Sequence, residues 1–219
     1  MACPSGELVG WTTFTHGFMT RGLASSARRD VIDRVVAAAV SGYGQCGQPD
    51  FDYEESLLRD LAGKPEFSPD DFERVVEWKQ ERGFGKVVRQ QNSGERIREA
   101  TRIAFASATP SEAIERLVNS NGGGLKGVQY PTASALLTFH DSTRYTVIDP
   151  RARAALFQLL KVHNPMVDVT ELGAESGEIY SNYVSLCRVA AQIHHLGLRD
   201  MDRALYTLGG ALWIFDVLR

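Results

Sequence analysis

The chain has few cysteines and no long apolar segment. Its three cysteines, Cys3, Cys46 and Cys187, are too widely spaced to support a disulfide framework or a clustered metal or iron–sulfur site. No stretch is long and apolar enough to span a bilayer, and residues 1–6 lack the basic start and apolar run of a signal peptide. We therefore expect a cytoplasmic protein with buried or idle thiols, no iron–sulfur cluster and no membrane partner.

The sequence also lacks the alternation of apolar and polar residues that is typical of half-buried strands. Apolar residues instead recur at helical spacing, and the clearest stripe consists of Ala152, Ala155, Leu156, Leu159 and Leu160. We predict an all-α fold of about nine short helices, which follow an irregular arm at residues 1–24. Their expected ranges are about 27–40, 51–62, 69–82 with a break at 83–85, from 94, from 110, after 129, 150–162, 177–196 and 200–218.

The net charge of −3 is not the basic excess that most nucleic-acid-binding proteins carry. The charges are nevertheless divided along the chain, because acidic residues dominate from 50 to 77 and basic residues dominate from 79 to 102. A folded chain with this division can present one basic face. Solvated helix faces of mixed sign explain the same charges equally well.

A glycine-containing turn at residues 125–129 leads into a short apolar helix, and Asp149 then precedes the helix at 150–162. The backbone amides of a turn that opens a helix can bind a phosphate without any side-chain charge. Asp149 before Pro150 is also an ordinary helix start, so N-capping alone would explain this carboxylate. The two roles are compatible, since a helix N-terminus stabilises an ionised carboxylate by roughly 0.3 to 1 kcal/mol.

This pattern resembles the helix-hairpin-helix (HhH-GPD) DNA glycosylases, and in particular small bacterial and archaeal proteins related to 8-oxoguanine glycosylase. The matching positions are Leu125, Gly127, Val128, Thr132 and Ala133, with Asp149 at the required interval, and weaker similarity extends over about residues 68–210. The resemblance implies a single unit of residues 1–219 with two helical lobes and a DNA-binding cleft between them. Residues 68–148 would form the hairpin-bearing lobe, and residues 1–67 with 149–219 would form the other.

The resemblance also implies roles for individual residues. Asp149 would be the catalytic carboxylate, and the DNA-binding hairpin would consist of Lys126, Gly127, Val128, Gln129 and Thr132. Backbone carbonyls of the hairpin would be able to hold a monovalent cation, Na⁺ or K⁺, namely those of Gly123, Leu125 and Val128.

A glycosylase rotates its target base out of the DNA stack and fills the gap. The resemblance places the gap-filling wedge at Gln91 or Asn92, although a polar loop that caps the next helix explains these two residues as well. The candidates for the base pocket are Trp78, Lys79, Phe84 and Tyr43, and ordinary core packing is the alternative explanation for the aromatic ones.

Two positions depart from the family pattern. Pro131 lies where the bifunctional enzymes have a Schiff-base lysine, and Gln129 replaces the second hairpin glycine. Lys126, on the other side of the turn, matches no catalytic position. We therefore expect a monofunctional glycosylase, in which Asp149 stabilises the positive sugar and orients the attacking water, and which leaves an abasic site without cutting the strand.

The sequence leaves the base and the biological role open. The resemblance favours an oxidised purine, while an alkylated base, a mismatched base or a hypermodified base of phage DNA remain alternatives, so both repair and defence fit. We expect a monomer that binds double-stranded DNA. A non-enzymatic hairpin module that recognises DNA shape or abasic sites, or a helical scaffold without a DNA partner, fits the same composition.

Overall fold

The computed structural model describes residues 25–43, 51–80, 83–118, 123–163 and 176–212. Within these ranges the chain forms ten α-helices and no strand, which confirms the predicted all-α class. The irregular arm expected at residues 1–24 lies outside the described residues. The helices are α1 (Ser25–Gly42), α2 (Phe51–Leu61), α3 (Pro69–Lys79), α4 (Phe84–Gln90), α5 (Gly94–Phe105), α6 (Pro110–Leu117), α7 (Tyr130–His140), α8 (Pro150–His163), α9 (Gly177–Ile193) and α10 (Leu198–Gly209).

Helix starts follow the capping residues in the sequence. The Ser68 hydroxyl accepts the amide N–H of Asp71, whose carboxylate accepts the Ser68 amide in return, so α3 begins with a complete capping box. The hydroxyls of Ser93 and Thr109 cap α5 and α6 by accepting the amide N–H groups of Arg96 and Glu112, without the return bond. The apolar stripe that predicts α8 is buried along its whole length, so these starts and this face are confirmed.

The predicted break is present at Gly83, but the prediction missed α4, which begins directly after it at Phe84. Gly83 has a left-handed φ of +87° and is the residue before the helix, while α3 already ends at Lys79. Gly85 lies inside α4, where an added Cβ would come within 2.6 Å of the Glu73 carbonyl oxygen on α3. This glycine therefore allows two helices to pack closely.

The predicted last helix was wrong at its C-terminal end. The sequence favours a helix over residues 200–218, but α10 runs from Leu198 to Gly209 and Gly210 caps it. An added Cβ at Gly209 would come within 2.5 Å of the Arg151 carbonyl oxygen, so this glycine also marks a close approach between helices. Residues 213–219 lie outside the described ranges.

One continuous buried apolar cluster joins the described helices. Helix α10 packs against α1 and α8, α9 packs against α6 and α10, and α3 packs against α4 and α7. Cys187 is buried in this core, as expected for an idle thiol, whereas Cys3 and Cys46 lie outside the described residues. None of the helices in the described ranges is long and apolar enough to cross a membrane.

Candidate functional site

Asp149 joins the start of α8 to the end of α3. Its Oδ1 accepts the backbone N–H of Arg151 at 2.9 Å, which is the geometry of a helix N-cap. Its Oδ2 accepts a hydrogen bond from Nζ of Lys79, also at 2.9 Å. The two side chains are 18 % and 12 % exposed, so the ion pair is largely shielded from solvent.

The surroundings of Asp149 favour its ionised form. Burial raises the pKa of this carboxyl, but the charge of Lys79 and the hydrogen bonds from Lys79 and Arg151 lower it further than burial raises it. The net pKa lies below the ordinary value of an aspartate, so Asp149 is a carboxylate at neutral pH.

A cavity of about 100 Å³ opens beside this ion pair. Its walls come from the end of α1, the end of α3, the segment before α8 and one face of α10, and they consist of Tyr43, Trp78, Lys79, Val147, Asp149, Arg199, Asp202, Arg203 and Tyr206. Three of the four base-pocket candidates thus meet the catalytic candidate in one cavity. The fourth, Phe84, is not among the lining residues and is 40 % exposed at the start of α4.

Helix α10 supplies polar lining residues that the sequence prediction did not assign to the pocket. They are spaced i, i+3, i+4 and i+7, which places them on one face of the helix, and they are Arg199, Asp202, Arg203 and Tyr206. The other face of α10 is apolar and buried. The stripe of polar residues at helical spacing is therefore the sequence signal from which this wall of the cavity could have been predicted.

Buried charges hold this wall in place. Glu54, which is 1 % exposed, lies 2.6 Å from a guanidinium nitrogen of Arg199 and accepts a 2.7 Å hydrogen bond from Arg203. The hydroxyl of Tyr43 donates to the same carboxylate at 2.7 Å. Burial raises the pKa of Glu54, but the two guanidiniums and the tyrosine hydroxyl outweigh it, so the net pKa is lowered. Asp202 pairs with Arg199 from the other side.

Trp78 contributes an unused hydrogen-bond donor. Its side chain lines the cavity and is 8 % exposed, and its Nε1 has no hydrogen-bond partner in the part of the chain that the structure describes. The ring packs edge-to-face on Phe139 at 4.8 Å, and the Arg199 guanidinium lies 5.5 Å from its centroid. The nitrogen itself is fully buried, so this N–H is an unsatisfied donor that is not exposed to the cavity.

The hairpin candidates lie between α6 and α7, which pack against each other. The amide of Leu125 donates to the Leu117 carbonyl at 2.9 Å, and the amide of Val128 donates to the Leu125 carbonyl at 3.1 Å, which closes a tight turn. Gly127 has a φ of +76° within this turn, a conformation that favours glycine. Gln129 is the residue before α7.

The proposed hairpin residues divide into exposed and buried groups. Lys126, Gly127 and Gln129 are exposed, whereas Val128 and Thr132 are 2 % and 1 % exposed. The hydroxyl of Thr132 accepts a 2.8 Å hydrogen bond from the side-chain amide of Gln80. The side chain of Thr132 therefore ties α7 to α3 and is not part of the exposed surface.

The two wedge candidates also differ. Asn92 is half-buried, and its side chain bonds to the backbone of Val88 and Lys126. Gln91 is exposed at the end of α4, and its Oε1 lies 3.4 Å from the position that a Cβ would take on Gly127. Of the two, Gln91 is the side chain at the surface next to the turn.

Two of the three carbonyls proposed to hold a monovalent cation, those of Gly123 and Leu125, already have partners. The Arg96 guanidinium donates to the carbonyls of Gly123 and Gly124, and the Leu125 carbonyl accepts the amide of Val128. Arg96 therefore places a positive charge at one of the predicted positions. Across the described ranges, no group of three or more His, Cys, Asp or Glu residues is placed to hold a metal ion.

Comparison with known proteins adds no relative. No family model matches the chain, and neither a curated protein nor a solved structure matches it. Membership of the helix-hairpin-helix glycosylases therefore stays a prediction from residues 125–133 and Asp149.

Proposed function

We propose that the protein is a DNA glycosylase that hydrolyses the N-glycosidic bond of a damaged or modified base and leaves an abasic site. The observation that carries the proposal is the position of Asp149. It is a shielded carboxylate with a lowered pKa, and it lies at the wall of a cavity that is also lined by aromatic side chains.

An ionised carboxylate suits the chemistry of glycosidic bond cleavage. As the base departs, positive charge develops on C1′ and O4′ of the sugar. A carboxylate placed beneath the sugar stabilises this charge, and it can orient or deprotonate the attacking water. The N-cap bond from Arg151 fixes Oδ1 of Asp149, while Oδ2 accepts the hydrogen bond from Lys79.

The cavity provides the chemistry that a flipped base requires. Tyr43, Trp78 and Tyr206 offer aromatic walls on which a base can stack. A cavity of about 150 Å³ takes up benzene, so this one, at about 100 Å³, must widen before a nucleobase fits. We expect the wall formed by α10 or the Lys79 side chain to move when a base enters.

The turn before α7 provides a place for the DNA backbone. Lys126, Gly127 and Gln129 in this turn are exposed, so a phosphate has access to them. Lys126 adds a positive charge, and salt-dependent contacts of this kind supply much of the affinity for DNA. Gln91, which adjoins the turn, is the wedge candidate that this arrangement favours.

The test is a panel of duplexes that each contain a single modified base. The panel includes oxidised purines, alkylated and mismatched bases, and hypermodified bases of the kind found in phage DNA, so that repair and defence roles are both covered. After incubation the DNA is treated with alkali, which cuts at abasic sites. We expect cleavage at one class of base, and Asp149→Asn should reduce it at least about a hundredfold.

A matched control separates the charge of Asp149 from a general effect of losing a carboxylate. Asp70→Asn removes a carboxylate whose side chain is 80 % exposed and should leave cleavage unchanged. Asparagine also caps helices well, so Asp149→Asn should keep the start of α8. Cleavage that persists in Asp149→Asn would refute the assignment of the catalytic carboxylate.

A second candidate function is a non-enzymatic hairpin module that binds DNA shape or abasic sites. The small volume of the cavity and the presence of Pro131 in the first turn of α7 favour it. Salt-dependent DNA binding without any alkali-labile sites would support the module. An absence of binding at low salt would instead indicate a helical scaffold without a DNA partner.

A further inference from the structure

The end of α3 brings an amine into the cavity. Lys79 is the last residue of that helix, its side chain is 12 % exposed, and its Nζ lies 2.9 Å from Oδ2 of Asp149. Both side chains line the same cavity. Any sugar that comes close enough to Asp149 for base excision therefore also comes close to this amine.

The next residue holds the amine in place. Gln80 donates a 2.8 Å hydrogen bond to the buried hydroxyl of Thr132 in the first turn of α7. Because Gln80 also caps α3, the C-terminal end of that helix is tied to α7 directly after Lys79. The lysine therefore has a defined position at its backbone and at its ammonium group.

The product of the proposed reaction carries the functional group that an amine attacks. An abasic deoxyribose opens to an aldehyde at C1′, and lysine amines form Schiff bases with carbonyl compounds. We propose that Lys79 condenses with this aldehyde and that the protein then cleaves the strand as an abasic-site lyase. This inference rests on the proposed function, and it replaces the expectation that the reaction ends at the abasic site.

The condensation needs only Lys79, the aldehyde and solvent water. Lys79 loses one proton to solvent, and its Nζ attacks the C1′ aldehyde to give a carbinolamine. The carbinolamine takes up one proton from solvent and loses its hydroxyl as water. The result is a protonated imine between Nζ and C1′, with Asp149 still a carboxylate beside it.

Strand cleavage uses the same carboxylate. Asp149 removes the C2′ proton, and the electrons of that bond form an enamine with C1′ and the lysine nitrogen. The enamine expels the 3′ phosphate by breaking the bond between C3′ and oxygen, which restores the imine and leaves an unsaturated sugar, and the proton on Asp149 passes to the departing phosphate. Hydrolysis of the imine by water releases Lys79.

The test uses a duplex with a single abasic site, so it does not require the excised base to be known. The wild-type protein is incubated with this DNA and sodium borohydride, which reduces an imine to a stable amine. We expect a covalent protein–DNA adduct, and peptide mapping by mass spectrometry should locate the sugar remnant on Lys79. Without borohydride, the strand should break at the abasic site without alkali.

Two matched variants separate the amine from the charge. Lys79→Arg keeps a positive charge beside Asp149 but has no amine that forms a stable imine, and it should reduce the adduct at least tenfold. Lys161→Arg makes the same change at the C-terminal end of α8, and it should leave the adduct unchanged. Circular dichroism and thermal unfolding of both variants show whether the fold is kept.

The outcomes distinguish this inference from the proposed function. Absence of an adduct with the wild-type protein, or an adduct on another lysine or on the terminal amine, overturns the role of Lys79. Excision of a modified base without any adduct would support the glycosylase proposal and refute only the lyase proposal. An adduct on Lys79 without excision of any base in the panel would support the lyase proposal and refute the glycosylase proposal. Mapping of the wild-type adduct shows whether Lys79 is the attacking amine even if Lys79→Arg fails to fold.

Discussion

Asn92 and Lys126 form a paired contact across two loops. The side-chain Oδ1 of Asn92 accepts the backbone N–H of Lys126 at 2.8 Å, and its Nδ2 donates to the Lys126 carbonyl at 3.0 Å. The same Nδ2 also donates to the Val88 carbonyl at 2.8 Å. One side chain therefore holds the turn before α7 against the end of α4, which assigns Asn92 a structural role and leaves Gln91 as the wedge candidate.

The first prediction concerns these two neighbours. Asn92→Ala removes the hydrogen bonds to the Lys126 backbone, so we expect the free energy of unfolding to fall by about 1 to 3 kcal/mol. Gln91→Ala, at an exposed position, should change that free energy by less than about 0.5 kcal/mol while lowering base excision. Urea denaturation and single-turnover excision assays measure both. Equal loss of stability in the two variants would contradict this division.

The second prediction concerns the pH dependence of excision. Burial raises the pKa of Asp149, while Lys79 and the amide of Arg151 lower it to a net value below normal. The wild-type activity should therefore persist below the ordinary pKa of an aspartate, about 3.9, wherever the fold survives. Lys79→Gln removes the positive charge that lowers the pKa of Asp149 but keeps the carboxyl buried, so the carboxyl protonates at higher pH. The acid limb of the pH–rate profile, where activity falls as Asp149 is protonated, should therefore shift to higher pH.

Lys79→Arg is the control for this shift, because the guanidinium keeps a positive charge beside Asp149. Its acid limb should stay close to that of the wild type. Single-turnover excision rates between about pH 3 and 8, with circular dichroism at each pH to confirm that the fold is kept, give the limb for each variant. An unchanged limb in Lys79→Gln would show that Lys79 does not set the ionisation of Asp149.

The third prediction concerns the charges behind the pocket wall. Glu54→Gln removes the carboxylate that neutralises Arg199 and Arg203, and breaking a buried ion pair costs about 3 to 5 kcal/mol. Glu55→Gln, whose side chain is 47 % exposed, should cost less than about 1 kcal/mol. Denaturant unfolding at neutral pH compares the two. Similar midpoints would contradict the structural importance of Glu54.

Acid should weaken the same contact in the wild type. Burial raises the pKa of Glu54, and Arg199, Tyr43 and Arg203 together lower it to a net value below that of the unfolded chain. Its contribution to stability is therefore present above the unfolded pKa, about 4.3, and is lost as the pH falls through the folded value. Glu54→Gln should flatten this part of the stability profile.

The fourth prediction concerns the turn before α7. Gly127 has a φ of +76°, and an added Cβ would lie 3.3 Å from Cγ2 of Val88. Gly127→Ala should cost about 1 to 2 kcal/mol of stability because alanine avoids this conformation, and it should weaken DNA binding. Gly123→Ala, at a position with no neighbour within 4 Å and no positive φ, should leave stability unchanged. Thermal unfolding and a salt-dependent binding titration check both effects.

Much of the helical structure followed from local patterns in the sequence. Ser68, Ser93 and Thr109 mark helix starts because a side-chain oxygen satisfies an amide of the first turn, and such contacts depend only on residues close in sequence. Gly85 misled the prediction because the same residue type that breaks a helix also permits close packing between helices. Its role depends on Glu73 of α3, which local spacing does not reveal.

The candidate site was predictable only in part. The N-capping position of Asp149 follows from the proline after it, but its contact with Lys79 joins residues 70 positions apart and arises from the packing of α3. Thr132 matched the hairpin pattern, yet its hydroxyl faces Gln80 in the interior. The spacing of Arg199 and Asp202 on α10 was visible in the sequence, whereas the cavity that they line depends on how four parts of the chain meet.

Two consecutive residues at the end of α3 also link the start of α8 to α7. Lys79 bonds to Asp149 at the start of α8, and Gln80 bonds to Thr132 in α7, so both bonds share one short stretch of backbone. Any shift of α7 that accompanies binding of the DNA backbone therefore changes the distance between the amine and the carboxylate. A substitution that destabilises the turn before α7 should then lower kcat as well as raise KM, because binding of the DNA strand and alignment of the amine with the carboxylate depend on the same contacts.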